Sequence, residues 1–148
     1  MAEIVSFTRE HIDSICEIET ESFSDPWSRR SFFELLDSPF ALGFTAIEDA
    51  EVAGYLIAHH ISPEIEILNI AVKKSKRRKK IATELFLTLF EYAKSEKAEK
   101  LTLELRASNR SAFALYKKLG FALDGFRKNY YANPKEDALL MSVILINN

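Results

Sequence analysis

Apolar residues recur along this chain in two rhythms. Where they alternate with polar ones, or where β-branched residues cluster, the pattern predicts a strand; where they recur every three or four residues it predicts a helix. Residues 3–7 read as a first strand. Thr8 is placed to cap a helix running to about Phe23, with Ile12, Ile15, Cys16 and Glu19 in one row. Asp25, Pro26, Trp27 and Ser28 break that helix, and Ser28 can cap a second carrying Phe32, Leu35 and Leu36. Residues 39–48 and 51–62 read as two antiparallel strands, and Pro63 opens a third through residue 72. Ile81, Ala82, Leu85, Phe86, Leu89, Phe90 and Ala93 describe an amphipathic helix to about Lys94. Residues 99–106 form the next strand, and Asn109 caps a helix that ends before Gly120. Residues 121–130 and 137–146 close the chain as two strands around Asn133 and Pro134. The order β-α-α-β-β-β-α-β-α-β-β predicts an α/β fold with a mixed, mostly antiparallel sheet and helices on both faces. The passage from Ile65 to Arg106 is expected to be a right-handed parallel crossover.

Composition narrows the picture. The 148 residues fit one domain, and 47% hydrophobic content suffices for a core. One cysteine, Cys16, excludes an internal disulfide and offers no metal cluster; in its row it reads as a small core residue. His59 and His60 are adjacent on a strand, face opposite ways, and are read as rim residues rather than as ligands to one metal. The sequence shows no signal-peptide pattern and no apolar run of membrane-spanning length. A cytoplasmic protein with no membrane partner, monomeric or weakly dimeric, is the expectation.

Charge is concentrated at one place. Seven of the eight residues 73–80 are basic, although the formal net charge is −2. Such a run is commonly a solvated face or a nucleic-acid patch. Here it joins a predicted buried strand to an amphipathic helix, where free backbone N–H groups and the positive end of the helix dipole suit an anion with several phosphate oxygens. A local run on a chain without net positive charge fits a small anionic ligand better than a specific nucleic-acid track.

Two further patterns are candidates for chemistry. In residues 101–106, Leu101, Leu103 and Leu105 share one face, and Thr102, Glu104 and Arg106 the other. A strand that follows a parallel crossover is normally covered on both sides, so its polar face marks either a cleft or an open side of the sheet. Asn109 and Tyr116 lie two helical turns apart on one face, about 10 Å along the axis. Tyr116 is compatible with a core ring whose hydroxyl reaches the edge.

The motifs Asn69-Ile70-Ala71-Val72, Arg77-Arg78-Lys79-Lys80-Ile81-Ala82, Leu103-Glu104-Leu105-Arg106-Ala107-Ser108-Asn109 and Ala114-Leu115-Tyr116-Lys117-Lys118-Leu119-Gly120-Phe121 occur in this order. Together they resemble the signatures of the GNAT superfamily of N-acetyltransferases, over nearly the whole chain. Within it, Asp25-Pro26-Trp27-Ser28, Arg127-Lys128-Asn129-Tyr130-Tyr131 and Glu136-Asp137-Ala138 resemble the ribosomal-protein-alanine N-acetyltransferases of RimI type. The resemblance implies acetyl transfer from acetyl-CoA to the N-terminal α-amine of a protein, with a ribosomal protein as partner. It implies that the backbone of Ile70, Ala71 and Val72 holds the pantetheine arm. It assigns the pyrophosphate to Arg78, Lys79, Lys80, Ile81, Ala82 and Thr83, and a further cofactor contact to Asn109. Glu104 corresponds to the general base, Tyr116 to the general acid, and Tyr130 and Tyr131 to aromatic residues beside the peptide. One position departs from the pattern: Lys80 stands where the family loop has its first glycine, whose lack of a Cβ permits close backbone approach and unusual dihedrals. Two other readings stay open at this level. One is the same chemistry on a small amine such as a polyamine; the other is an idle domain whose basic loop binds RNA or the ribosome.

Overall fold

A computed structural model describes residues 2–77 and 80–145. Its strands are β1 (Glu3–Ser6), β2 (Ala41–Glu48), β3 (Glu51–Ile61), β4 (Glu64–Val72), β5 (Lys100–Arg106), β6 (Ala122–Ala132) and β7 (Lys135–Ile144). Its helices are α1 (Ile12–Ser22), α2 (Arg29–Asp37), α3 (Ile81–Ser95) and α4 (Arg110–Lys118), with short 3₁₀ turns at Arg9–His11 and Lys74–Lys76. The strands form one sheet in the order β1-β2-β3-β4-β5-β7-β6. Every neighbouring pair is antiparallel except β4 with β5, which run parallel as the crossover reading requires.

Strand periodicity divides the core in two. Tyr55 and Ile57 of β3 point to one face, where Ile12, Ile15 and Ile18 of α1 and Phe32 and Leu35 of α2 cover them. Leu56 and Ala58 point to the other, under Ile81, Leu85, Phe86, Leu89 and Ala93 of α3 and Tyr116 of α4. Each such fully buried Leu, Ile or Phe contributes about 1.5–3 kcal/mol of transfer free energy. Ser28 caps α2 by accepting the Ser31 N–H (3.1 Å), and Asn109 caps α4 by accepting the Ala112 N–H (3.2 Å).

The structure corrects several details of the sequence reading. The first turn after Thr8 is 3₁₀, because His11 Nδ1 accepts the Thr8 N–H and tightens it. Cys16 is only half-buried, at the edge of the α1–α2 core; Ile18 fills the row instead. His60 is half-buried near the end of β3, and its Nδ1 lies 2.7 Å from the Tyr92 hydroxyl of α3. Phe121 belongs to the core rather than to a strand, and β6 runs on to Ala132 because pairing of Tyr131 with Glu136 and Ala132 with Lys135 carries the hairpin to its tip.

Gly54 marks a close approach of β3 to β4. A Cβ there would stand 2.9 Å from the Ala71 carbonyl oxygen and 3.3 Å from Val72 Cγ2. Gly54→Ala must therefore push β4 outward, and is expected to lower the free energy of unfolding by about 1–3 kcal/mol. Urea denaturation checks this; an unchanged midpoint would mean that β4 yields freely.

Candidate active site

The sheet opens where β4 and β5 part. Their parallel pairing covers Glu64 with Lys100, Ile65 with Leu101 and Glu66 with Thr102, and ends there. The β3–β4 register shifts between the pairs Ile57–Asn69 and Ala58–Ile67, leaving Leu68 as an extra residue on β4. A bulge of this kind bends its strand and increases the twist, and here it coincides with the departure of β4 from β5. Beyond it, residues 67–72 of β4 and 103–106 of β5 line opposite walls of a cleft of about 950 Å³. That is within the range of small-molecule sites. The cleft passes through the sheet: Glu19 and Trp27 border it from the α1–α2 face, and Asn109, Ala112, Leu115 and Tyr116 from the α3–α4 face.

Backbone polarity in this gap follows from the ladder. The Lys73 N–H donates to the Ala53 carbonyl at 2.8 Å. That bond makes Val72 and Gly54 a pair whose own N–H and C=O groups point away from each other. Val72, and Ile70 two residues before it, thus turn their backbone groups into the cleft, while Ala71 bonds to β3. The Val72 carbonyl takes one cleft-side bond, from Arg77 Nε at 3.0 Å.

The N-terminus of α3 faces the same space. Lys80, Ile81, Ala82 and Thr83 all line the cleft. The N–H groups of Ile81, Ala82 and Thr83 have no partner within the helix; the first intrahelical bond is from the Glu84 N–H to the Lys80 carbonyl at 3.0 Å. Three orphan donors and the dipole end make an electropositive rim. Lys80 has φ 62 and ψ 23, the left-handed conformation natural to glycine. The chain therefore keeps the backbone path that a glycine would allow, at a strain of about 1–2 kcal/mol. Lys80→Gly should relieve it, less what glycine loses through its freer unfolded chain, for a net gain of about 0.5–1 kcal/mol. Chemical denaturation measures this, and a loss of stability would show that the lysine side chain holds the loop. Arg78 and Lys79 lie outside the described residues.

The rest of the basic run is largely engaged locally. Lys76 Nζ is 3.0 Å from Asp49, 3.4 Å from Glu48 and 3.8 Å from Glu51, all on the β2–β3 hairpin, and Lys73 Nζ is 3.3 Å from Glu51. Arg77 also donates to Ser22 Oγ at 3.2 Å, and the Lys74 N–H donates to Glu21 at 2.8 Å. These bonds tie the loop to α1 and to the hairpin.

On β5 the alternation holds. Leu101, Leu103 and Leu105 are buried under α3 and α4, and Thr102, Glu104 and Arg106 are half-buried on the other face. Glu104 Oε2 is buried with no hydrogen-bond partner among the described residues, although it lies at the cleft. A buried carboxylate oxygen in that state is open to a donor from a bound molecule. Tyr116 approaches from the opposite side. Its ring packs edge-on against Phe86 (5.5 Å) and beside Phe121 (6.0 Å), and burial, with Tyr131 as a lesser cause, pushes its hydroxyl pKa up to about 12.

The β6–β7 hairpin tip closes one end. Arg106 donates to the carbonyls of Pro134 (2.8 Å) and Asn133 (3.2 Å) and to Glu136 (3.1 Å), while its guanidinium lies 4.5 Å from the Tyr131 ring centroid. Ser24 Oγ donates to the Asn133 carbonyl at 2.6 Å from the α1–α2 loop. Tyr131 consequently lines the cleft; burial, and then the Glu104 charge, raise its pKa to about 12. Tyr130 stacks edge-on to Tyr131 at 5.1 Å but stays exposed and does not line the cleft; the Glu104 carboxylate is the main cause that raises its hydroxyl.

The fold thus gathers Ile70, Ala71, Val72, Lys80, Ile81, Ala82, Thr83, Glu104, Asn109, Tyr116 and Tyr131 around one cleft. Sequence reasoning missed Glu19, Trp27 and the 22–25 segment. A carboxylate at position 19 in an otherwise apolar row was the available signal. Among the described residues no group of three or more His, Cys, Asp or Glu is arranged to hold a metal, and no helix is long and apolar enough to cross a membrane.

Residues 12–121 match the family model of the acetyltransferase (GNAT) family. The chain belongs to that family. A relative in Bacillus subtilis (strain 168) is 41% identical over 137 residues, covering 92% of this chain and 91% of its own; its name gives provisionally the activity of a ribosomal protein bS18-alanine N-acetyltransferase. The protein of Escherichia coli (strain K12) with that name is 30% identical over 145 residues, 97% of each chain. The crystal structure of the Escherichia coli ribosomal-protein-S18-alanine N-acetyltransferase superposes with a TM-score of 0.93 over 100% of this chain and 96% of that one, at 29% identity. Arabidopsis thaliana NAA60 in complex with acetyl-CoA shares the fold, with a TM-score of 0.88 over 98% of this chain and 99% of its own, at 16% identity. This GNAT acetyltransferase therefore has the mixed sheet, the parted parallel pair and the helix arrangement of its family.

Proposed function

We propose that this acetyltransferase moves an acetyl group from acetyl-CoA to the N-terminal α-amine of a protein, a ribosomal protein beginning with alanine. The single observation that carries the reading is the unpartnered, buried Oε2 of Glu104 at a cleft that runs through the sheet. The relatives' names supply the acceptor class. Such a substrate puts the enzyme in the cytoplasm.

The two substrates would enter from opposite faces. On the α3–α4 side, the N–H groups of Ile81, Ala82 and Thr83, with Lys80, Arg78 and Lys79, would receive the diphosphate; Asn109 would touch the same ligand. The cleft-facing N–H groups of Ile70 and Val72, beside Ala71, would align the pantetheine arm and polarise the thioester carbonyl. On the α1–α2 side, Tyr131, with Tyr130 next to it, would flank the acceptor peptide.

An amine attacks only when neutral. A terminal α-amine with a pKa of ~8 is roughly one-tenth neutral at pH 7, whereas a lysine amine at ~10.4 is under about a thousandth neutral. An α-amine therefore asks less of the site. As its nitrogen bonds to the thioester carbon, Glu104 takes the proton, directly or through one water. The C–S bond then breaks, and the Tyr116 hydroxyl gives its proton to the departing thiolate. Transfer is direct, and Cys16, packed against the α1–α2 core, has no part in it.

The reading is tested by thiol release from acetyl-CoA with an alanine-initiated peptide, with a polyamine, and with neither. Release that depends on the peptide supports it; release with the polyamine alone transfers the chemistry to a small amine. Engagement of Lys73 and Lys76 by hairpin acids weighs against the loop as an RNA track, whose cations would need to be free.

A further inference from the structure

Glu19 is 1% exposed, yet it borders the cleft. Three donors from three separate elements converge on its carboxylate. The Tyr55 hydroxyl of β3 and Asn69 Nδ2 of β4 (2.6 Å) both donate to Oε1, and the Trp27 N–H of the α1–α2 loop donates to Oε2 at 2.8 Å. Asn69 is the residue immediately after the β4 bulge, where the cofactor-side wall begins to leave β5. Trp27 lies near the end of that loop, in which Ser24 is bonded to the Asn133 carbonyl at the hairpin tip. A desolvated carboxylate is costly and is retained only where its hydrogen bonds compensate. Here its bonds join the β4 wall to the α1–α2 loop at Trp27; the other link between these walls, Arg77, reaches the Val72 carbonyl from Ser22 at the end of α1.

Building on the acceptor reading given above, we infer that Glu19 is a positioning residue for the acceptor: through the Trp27 N–H it holds the 23–27 loop, the acceptor-side wall, in fixed register with β4. It touches neither reacting atom. The two oxygens divide the work. Oε1 serves the strands, and Oε2 serves the loop. A glutamine at this position has one carbonyl oxygen, which satisfies Tyr55 and Asn69, and an amide NH₂, which then faces the Trp27 N–H donor to donor. Glu19→Gln consequently releases the loop and leaves the strand contacts in place. Tyr55→Phe does the reverse: it removes one donor from Oε1, keeps the ring against Phe32, and leaves the Trp27 bond intact.

The test compares steady-state kinetics of the full chain and its variants with an alanine-initiated peptide and acetyl-CoA, alongside thermal midpoints. Glu19→Gln is expected to raise the peptide KM about tenfold or more, the scale of a hydrogen bond to a charged group. The acetyl-CoA KM and kcat should change little. Tyr55→Phe is expected to lower the thermal midpoint while leaving the peptide KM at the wild-type value. Glu19→Asp keeps the charge but shortens the reach by one methylene; the same KM split is expected of it, and it serves if the glutamine variant does not fold. A peptide KM that stays at the wild-type value in both Glu19 variants overturns the inference. So does an acetyl-CoA KM that rises as much as the peptide KM. A wild-type protein that does not turn over the peptide at all overturns the acceptor reading, and the inference with it.

Discussion

Glu104→Gln is expected to lower kcat on an alanine-initiated peptide by about 10²–10⁴-fold, the usual worth of a positioned general base. Glutamine is close in shape, so Leu103 and Leu105 keep their places in the core and β5 keeps its register with β7. The amide cannot accept the proton from the attacking nitrogen. Affinity for acetyl-CoA, measured by calorimetry, should stay near the wild-type value, because the diphosphate contacts are proposed at the start of α3. Raising the pH should recover part of the loss, since a larger share of the acceptor is neutral above its pKa of ~8. Turnover near the wild-type rate in this variant would remove Glu104 from the chemistry.

Tyr116→Phe should have the next largest effect, a fall in kcat of about 10²-fold or more with the acetyl-CoA dissociation constant little changed. The ring that packs on Phe86 and Phe121 remains, so the fold should lose little stability. What disappears is the proposed proton donor to the leaving thiolate. The pH dependence has a definite sign. Burial favours the neutral phenol and pushes its pKa up to about 12, so the hydroxyl is protonated throughout the neutral range and competent as an acid. Wild-type kcat should show no alkaline decline from this group below about pH 11. A decline centred near neutral pH would assign the proton donor to another residue, as would an unchanged rate in the phenylalanine variant.

Much of this site is local in sequence and was therefore legible there. The alternation of Leu101, Leu103 and Leu105 with Thr102, Glu104 and Arg106 tells the face of β5 that meets the core from the polar face, on which Glu104 and Arg106 border the cleft. The join between a strand and a helix across the basic run locates free N–H groups before any coordinates are known. Other features depend on pairs that are distant along the chain. Insertion of β7 between β5 and β6 leaves no mark in the periodicity of any of the three. The parting of β4 from β5 depends on a bulge at Leu68, inside a stretch that reads as one strand through residue 72. Glu19 has its partners at positions 27, 55 and 69, so a helical row could show the carboxylate but not what holds it.

Lys80 shows how a motif and its physics separate. The glycine of the family pattern is valued for a backbone conformation, and this chain adopts that conformation with a lysine. The departure in residue type leaves position 80 in a glycine-like conformation and places a cation at the rim where a diphosphate is proposed to sit. Tyr130 and Tyr131 separate in a different way. They are adjacent and alike, but only Tyr131 reaches the cleft, under the Arg106 guanidinium.

Direct transfer to a terminal α-amine beside Glu104 is the proposed reaction. One measurement addresses it most directly: mass spectrometry of a peptide that begins with alanine and also carries an internal lysine, after incubation with the protein and acetyl-CoA. A single acetyl group is expected, on the alanine nitrogen, with the lysine untouched and the Glu104→Gln protein leaving the peptide unmodified on the same timescale. Acetylation of the lysine alone, or an alanine nitrogen modified equally fast by the glutamine variant, would contradict it.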